Sequence, residues 1–369
     1  MVGIKNFAKR EPVLIAALAA MLVSMAAVPP GPEYLGYIDL RVLCLLFCLM
    51  AVIAGLQSCN LFFILAQRLL TGRRRIRTVA ALLALLPFFT SMVVTNDVAL
   101  ITFVPFAILV MSTIGRKDLL IWVIVMQTVA ANLGSMATPV GNPQNLYLYA
   151  HYGLSAGEFF GTALPLTIMS FVLVVLMSLR VPKTGIEVRF LSEYRVESPK
   201  RLALYGLLFV LCLLSVFRVL HYGILTAVVL ASVFVSDRRL LSKVDYGLLL
   251  TFVCFFVFAG NIGVISQVRQ LLGGWLKENA LLTAVASSQV ISNVPASVLL
   301  SGFTENWKGL LAGTNLGGLG TLIASLASLI SFKFYIRVPG AKPLGYLGVF
   351  TLVNILGLLV LVPPAFLIV

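Results

Sequence analysis

Residues 132–145 read Asn-Leu-Gly-Ser-Met-Ala-Thr-Pro-Val-Gly-Asn-Pro-Gln-Asn and interrupt an otherwise apolar stretch. Pro139 and Pro143 lack a backbone N–H, so each leaves a carbonyl that a continuous helix would have paired. Unpaired backbone at membrane depth is tolerated only where it lines a cavity or binds something. A simple proline kink would not account for the asparagine and threonine content. The stretch therefore predicts a broken membrane helix at a binding site, without deciding which ion binds.

The composition around this stretch excludes a soluble protein. Hydrophobic residues make up 60% of the 369-residue chain and charged residues 11%, whereas soluble proteins average about 25% charged residues. The net charge of +14 comes from short basic clusters between apolar runs, a pattern that orients membrane helices and does not build a nucleic-acid-binding face. We expect an all-α integral membrane protein with about nine or ten spanning helices. The predicted spans are 12–28, 38–57, 119–150, 161–180, 203–218, 222–236, 245–265, 309–333 and 344–369.

The basic clusters predict the orientation of the chain in the cell membrane. If the N-terminus lies in the cytoplasm, 22 of the 27 Lys and Arg fall on the cytoplasmic side. The five that fall outside are Arg41, Arg218, Arg269, Lys277 and Lys308. The C-terminus is then expected outside.

This orientation gives residues 79–114 an unusual path. Cytoplasmic cations flank both ends, so the segment must enter and leave on one side, and each arm is short for a full crossing. We predict a re-entrant hairpin with its tip at residues 95–97; two tilted full spans are the alternative. The polar residues 181–202 are predicted to be a cytoplasmic linker between two repeats, 1–180 and 203–369.

Three motif pairs recur in the same order in the two halves. Asp39 and Asp245 each precede an apolar run that reaches Ala-Gly, residues 90–96 match residues 287–293, and Asn-Leu-Gly occurs at 132–134 and 315–317. Under the predicted orientation, the paired spans run in opposite directions. Inverted repeats with interrupted helices are characteristic of secondary transporters, with the site near the membrane midplane. The second repeat therefore predicts a hairpin at 280–303, with its tip at 292–295, and a broken helix at 309–333. For the glycine-rich residues 314–321, close helix packing through small residues is the alternative.

Asp97 is the only acidic residue deep inside an apolar stretch. A buried carboxylate needs a partner, a proton or a cation, and its own hairpin contains no Lys or Arg. We expect a coupling ion, Na⁺ or H⁺, at Asp97; a helix cap is the alternative. Na⁺ would lie near Asn96, Asp97 and Asn293, and no other cofactor is expected. The candidate site residues are Thr95, Asn96, Asp97, Ser292, Asn293 and Pro295 at the tips, and Asn132, Gly134, Thr138, Pro139, Gly141, Asn142, Asn315, Gly317 and Thr321 at the breaks.

The sequence contains no enzyme constellation. His151 and His221 fall in predicted external loops, and there is no HExxH motif, no P-loop and no Cys/His metal spacing. We therefore expect no enzymatic activity. ATP-driven transport would require a separate ATPase subunit.

At Thr95-Asn96-Asp97-Val98-Ala99-Leu100 and at Thr138-Pro139-x-Gly141-Asn142-Pro143-Gln144-Asn145 the sequence resembles the ion transporter superfamily. That group includes arsenite-efflux membrane subunits, NhaD-type sodium/proton antiporters and divalent-anion/sodium symporters. The resemblance covers nearly the whole chain. It implies two inverted repeats, each with a hairpin and a broken helix, in a homodimer whose transport domain moves like an elevator. In the symporters both tips carry Ser-Asn-Thr, which helps bind sodium and substrate carboxylates. Here the tips read Thr95-Asn96-Asp97 and Ser292-Asn293-Val294, and the first is closer to the arsenite and antiporter branches.

Two functions follow from these features. The first is secondary transport of a small anion, an arsenite-like oxyanion or an organic anion, coupled to Na⁺ or H⁺. The second is Na⁺/H⁺ antiport centred on Asp97, which stays open because the core has no Lys or Arg to clamp an anion. A passive channel is the alternative from another class. In each case the partners are a small ion and membrane lipid.

Overall fold

The computed structural model describes residues 11–188, 190 and 195–369, and this part of the chain is almost entirely helical. The first half contains α1 (Pro12–Ala27), α2 (Tyr34–Tyr37), α3 (Leu40–Ser58), α4 (Leu61–Leu70), α5 (Ile76–Thr90), α6 (Asn96–Thr113), α7 (Leu120–Ser135), α8 (Pro143–His151) and α9 (Ala156–Ser178). The second half contains α10 (Pro199–Val216), α11 (Tyr222–Ser236), α12 (Tyr246–Val264), α13 (Ser266–Ile291), α14 (Asn293–Ser301), α15 (Trp307–Leu316), α16 (Leu326–Tyr335) and α17 (Pro343–Ala365). Short 3₁₀ turns precede α7 and α12.

The predicted all-α membrane class is confirmed. Within the described residues, seven helical stretches are long and apolar enough to cross a membrane: α3, α6, α7 with its preceding turn, α9, α10, α12 and α17. The apolar helices α1, α4, α5, α11 and α16 are shorter. Every span predicted from the sequence coincides with one of these helices or with a broken pair.

The two repeats start their long helices in the same way. Asp39 Oδ1 accepts a hydrogen bond from the backbone N–H of Val42 (3.0 Å), and Asp245 Oδ1 accepts one from that of Leu248 (2.8 Å). Each carboxylate satisfies a backbone donor that the first helical turn leaves unpaired. The sequence match between the two aspartates therefore reflects two N-caps, on α3 and α12.

Two helical hairpins follow these helices. In the first, residues 91–95 join α5 to α6. In the second, α13 is interrupted by extended backbone at Asn279 (φ −159°), and its last part turns into α14 at Ser292. The broken helices come next: residues 136–142 separate α7 from α8, and residues 317–325 separate α15 from α16. Thr314 and Asn315 still belong to α15, so the second break begins later than the glycine-rich sequence indicated.

A short antiparallel sheet, which the sequence did not predict, connects the polar linker to the first hairpin. Strand β1 (Gly72–Arg75) pairs with β2 (Gly185–Val188), with Gly72 opposite Val188 and Arg75 opposite Gly185. The N–H of Ile76, the first residue of α5, donates to the carbonyl of Thr184 (2.8 Å). Part of the predicted linker, residues 189 and 191–194, lies outside the described residues.

The long helices form two packing groups. The frame consists of α1, α3, α10, α11 and α12, in which α1 packs on α12 and α3 packs on α10 and α11. The bundle consists of α5 to α9, the last part of α13, and α14 to α17, in which α7 contacts α5, α6, α9, α16 and α17. The hairpins and broken helices all belong to the bundle, while α3 and α12 bring the frame against it.

Candidate functional site

Each hairpin tip is fastened to the break of its own repeat by the same pair of hydrogen bonds. The N–H of Asn96 donates to the carbonyl of Gly141 (3.2 Å), and the N–H of Asn293 donates to that of Ala324 (3.0 Å). The hydroxyl of Thr138 donates to the carbonyl of Met92 (2.5 Å), and that of Thr321 donates to the carbonyl of Gln289 (3.0 Å). The unpaired backbone groups at the two breaks thus find partners in the tips.

Buried asparagines connect the two repeats. Asn132 Oδ1 accepts from Asn96 Nδ2 (2.9 Å) and from the hydroxyl of Ser325 (3.0 Å), and its Nδ2 donates to the carbonyl of Gly318 (3.2 Å). A fully paired polar network in a low-dielectric interior stabilises one arrangement against its alternatives. This network holds the first tip, α7 and the second break together.

Asn315 occupies the equivalent position in the second repeat. Its Oδ1 accepts from Asn142 Nδ2 (3.0 Å), and its Nδ2 donates to Asn145 Oδ1 (2.6 Å). The asparagine at the end of α15 thus contacts the start of α8, as the asparagine of α7 contacts the start of α16. The two broken helices are therefore interlocked by matching contacts.

Sequence reasoning missed three members of this network: Asn145, Ser325 and Ser328. Asn132 Nδ2 reaches the hydroxyl of Ser328 (3.5 Å). A spacing shared by the two repeats could have identified Asn145 and Ser328. Asn145 follows Asn132 at the same interval at which Ser328 follows Asn315. Serine and asparagine look unlike in sequence, but both supply hydrogen-bonding groups.

A cavity of about 400 Å³ lies between the frame and the bundle. The frame wall comes from the start of α1, residues 46–57 of α3 and the start of α12, including Gln57 and Thr251. The bundle wall comes from the first turns of α6, α8 and α14 and from α16 along its length, from Leu326 to Lys333. Six helix N-termini therefore lie at this space, four from the bundle and two from the frame, and N-termini favour negative charge.

Five of the fifteen predicted site residues line this cavity: Thr95, Asp97, Asn142, Ser292 and Pro295. Asn96, Asn132, Asn293 and Asn315 are buried behind its wall. Thr321 is exposed and holds the second tip from outside. Pro139 belongs to the first break but not to the cavity lining.

Three predicted glycines serve close packing. A Cβ on Gly134 would overlap the carbonyl oxygen of Phe88 in α5, and one on Gly141 would overlap that of Ser135. A Cβ on Gly317 would come within 2.7 Å of the Gly313 carbonyl oxygen and of the Ser288 side chain. These positions let hairpins and breaks approach at backbone distance.

Asp97 does not cap the helix that it begins. The N-cap of α6 is Thr95, and the backbone N–H of Asp97 donates to Asn96 Oδ1 (3.0 Å). The Oδ1 atom of Asp97 is buried, and it has no hydrogen-bond partner in the described part of the chain. A carboxylate oxygen left in this condition costs free energy unless a cation or proton joins it.

Ser292 adopts φ 73° and ψ 153° at the second tip, a conformation that is open almost only to glycine. Its hydroxyl lies 3.4 Å from the carbonyl of Ala324 and 3.5 Å from Asn293 Oδ1. Strained backbone of this kind persists where the surrounding structure over-determines it, and it is concentrated at ligand sites.

Charged residues line one end of the cavity, and the sequence did not single them out as site residues. They are Glu11, Lys243, Asp245 and Lys333. Burial raises the pKa of Glu11, which precedes α1; Asp245 raises it further, and Lys333 opposes both. No group of three or more His, Cys, Asp or Glu able to hold a metal ion occurs in residues 11–188, 190 and 195–369.

The family model described as "CitMHS: Citrate transporter" matches residues 6–306. The chain belongs to the CitMHS family. An uncharacterized transporter of Methanocaldococcus jannaschii, MJ0456, is 35% identical over 299 residues, covering 78% of this chain and 79% of that protein. The inner membrane protein YbiR of Escherichia coli is 30% identical over 303 residues and 80% of each chain.

A solved structure shares the fold of this chain. The YdaH transporter of Alcanivorax borkumensis, whose crystal structure is described as having an unusual topology, matches with a TM-score of 0.55 at 17% identity. The match covers 91% of this chain and 85% of that one. The resemblance to the ion transporter superfamily is confirmed, and this CitMHS protein is a multi-pass membrane transporter. Its family points to transport rather than catalysis.

Proposed function

We propose that this protein is a secondary active transporter that carries a small anion, coupled to Na⁺ or H⁺ through Asp97. The observation that carries the proposal is the composition of one cavity wall. Four helix N-termini of the bundle line the same space as Asp97, whose Oδ1 is buried without a hydrogen-bond partner among the described residues. The first feature favours an anion and the second favours a cation, so the two ions neutralise each other in one site.

The chemistry of the lining favours an organic anion, or an oxyacid that is neutral or carries a single negative charge. The cations that line the cavity, in the described part of the chain, are Lys243 and Lys333, both at its charged end. Neutral amide and hydroxyl groups of Asn142 and Ser292 supply the deeper contacts. The family description makes citrate the first organic anion to test, and the resemblance of the first tip makes arsenite the first oxyanion.

The position of the cavity supports an elevator-like movement. The cavity separates the frame from the bundle, and the asparagine network lies within the bundle. The bundle can therefore move as one unit against the frame while the asparagine network stays intact. Lys243 and Lys333 belong to the clusters predicted to be cytoplasmic, so this arrangement is inward-open in our proposal. A homodimer would fix the frames against each other.

Na⁺/H⁺ antiport is the second candidate, and one observation favours it. Among the described residues that line the cavity, the only Lys or Arg residues are Lys243 and Lys333, both at the charged end. The remaining lining around Asp97 contains no cation. A cation could therefore exchange with a proton at Asp97 without an anion.

Flux measurements on proteoliposomes test the proposal. The purified protein, without an added ATPase subunit, is given imposed Na⁺ or pH gradients and a panel of citrate, arsenite and smaller carboxylates. We expect saturable uptake of one anion that follows one gradient. Cation exchange without any anion would favour the antiporter, and non-saturable flux that ignores both gradients would indicate a channel.

The Asp97→Asn variant keeps the shape of the side chain and removes its charge. We expect a normally assembled protein that loses at least about 90% of gradient-driven flux, because the coupling ion loses its only charged partner. Asp118→Asn is the control, since Asp118 is exposed and pairs with Arg116 (2.8 Å) away from the cavity. Wild-type flux with the same Na⁺ and pH response in Asp97→Asn would reject this role.

A further inference from the structure

Gln57 is the penultimate residue of α3 and lines the cavity from the frame. Its Nε2 donates to Thr102 Oγ1 of α6 (3.1 Å), and that hydroxyl donates to the carbonyl of Val98 (2.9 Å). Because the hydroxyl proton of Thr102 is already donated to Val98, Thr102 Oγ1 can only accept a hydrogen bond from Gln57. This fixes the amide with its nitrogen toward the bundle. Oε1 has no hydrogen-bond partner in the described part of the chain.

The bundle wall carries oxygen atoms that complement this amide. Asp97 Oδ1 is buried and has no hydrogen-bond partner among residues 11–188, 190 and 195–369, and Thr95 also lines the cavity. A carboxylate, an amide oxygen and a hydroxyl are hard ligands, which suit a hard cation rather than an anion. A proton on Asp97 would neutralise the charge but would leave the amide oxygen unused.

We propose that Gln57 is a ligand, through Oε1, for the Na⁺ that Asp97 binds, so that the frame and the bundle share the coupling ion. This inference rests on the proposed cation coupling at Asp97 and names the ion and its second binding residue. The bound ion then bridges the two groups that must separate during transport. Its release toward the charged end of the cavity frees α6 to leave α3.

The second repeat has no equivalent of this ligand. The penultimate residue of α12 is Gly263, which has no side chain. The inverted repeats match at the N-caps, the tips and the breaks, but Gln57 has no counterpart at the matching position of the second repeat. The ion bridge is therefore confined to the first repeat, beside Asp97.

A binding measurement that does not require transport tests the inference. The melting temperature of the detergent-purified protein is measured against NaCl, with choline chloride as the ionic-strength control. We expect Gln57→Leu to raise the apparent Kd for Na⁺ about tenfold, the usual cost of losing one contact with a charged group. Gln57→Glu keeps an oxygen ligand and should bind Na⁺ at least as tightly as the wild type.

Two further variants separate ligation from positioning. Thr102→Val releases the amide but keeps Oε1, so the apparent Kd should rise less than in Gln57→Leu. Ser58→Ala, a neighbour whose hydroxyl donates to the Gly55 carbonyl, should leave it unchanged. The same order should appear in the Na⁺ concentration that half-saturates flux.

The outcomes distinguish this inference from the proposed function. A wild-type protein whose melting temperature ignores Na⁺, or a Gln57→Leu variant that responds as the wild type does, overturns the role of Gln57. Flux by the wild type that ignores both gradients overturns cation-coupled transport itself, whatever the melting temperatures show.

Discussion

At the scale of single residues, packing decides which glycines matter. Gly134 lies where α7 crosses α5, and a methyl group there would overlap the Phe88 carbonyl. Gly161, in α9, has nothing within 4 Å of the same added atom. Both are helical glycines in apolar surroundings, so the sequence does not distinguish them. Only the distance to the neighbouring backbone does.

We expect Gly134→Ala to lower stability by about 1–3 kcal/mol, because backbone atoms cannot move aside as a side chain can. Gly161→Ala should be neutral or stabilising by up to about 1 kcal/mol, since alanine favours helix. Thermal unfolding of the two variants in the same detergent measures the difference. Equal melting temperatures would mean that α5 and α7 pack less tightly in solution than in the structure.

At the scale of elements, the two hairpins reach the same contacts by different turns. The first uses five residues, 91–95, between its helices, and within the described residues none of the five has a positive φ. The second turns on Ser292 alone, which therefore adopts φ 73°. The shorter turn concentrates the change of direction in one residue and makes it strained.

Substitutions at Ser292 separate the effect of its strained backbone from that of its hydroxyl group. Ser292→Gly should relieve the strain and raise stability by about 1 kcal/mol or more, while Ser292→Ala keeps the strain and removes the hydroxyl. If the hydroxyl contacts the transported ion, both variants should weaken flux to a similar degree. Melting temperatures and initial flux rates measure the two effects. A glycine variant less stable than the alanine variant would contradict the strained turn.

At the scale of the whole molecule, Arg218 connects the frame to the bundle. It lies between α10 and α11 with φ 66°, and its guanidinium donates to the carbonyls of Gly153 (2.8 Å) and Tyr149 (3.3 Å). The same group lies 5.7 Å from the ring centroid of Tyr149. Tyr149 lies in the last turn of α8 and Gly153 just beyond its end, where a cation is favourable. This contact accounts for one of the five cations that fell outside the orientation pattern.

Removing the Arg218 side chain should weaken the contact between the frame and the end of α8. In a background without the native cysteines, a cysteine replacing Leu329 reports the open cavity through its alkylation rate. We expect Arg218→Gln to lower that rate several-fold, because the proposed inward-open state would lose contacts that stabilise it relative to the outward-open state. Arg269→Gln is the control, because Arg269 is exposed and is also predicted to be an external cation. An unchanged rate in Arg218→Gln would mean that Arg218 supports the fold alone.

Orientation is also a property of the whole molecule. A cysteine placed within 184–198 should react with an impermeant reagent only from the cytoplasm, and one at the C-terminus only from outside. The expectation rests on the distribution of cations between apolar segments. The two labels are compared on intact cells and on inverted vesicles. Reversed labelling would contradict the inverted relation of the repeats.

Features that depend on neighbouring residues could be predicted before the structure was known. Apolar runs fixed the spans, Asp39 and Asp245 fixed two helix starts, and Pro139 with Pro143 fixed the first break, because each acts within one or two turns. The superfamily followed from two short motifs.

Tertiary structure alone decided what meets across the fold. Asn142 contacts Asn315, and Gln57 contacts Thr102, through packing between helices far apart in sequence. The β1–β2 pairing and the unpaired oxygen of Asp97 also depend on distant segments. A hydrogen bond between separate helices depends on their crossing geometry, which no local pattern encodes. The sequence therefore indicated which residues are polar at depth, and the packing of frame against bundle decided which of them share a cavity.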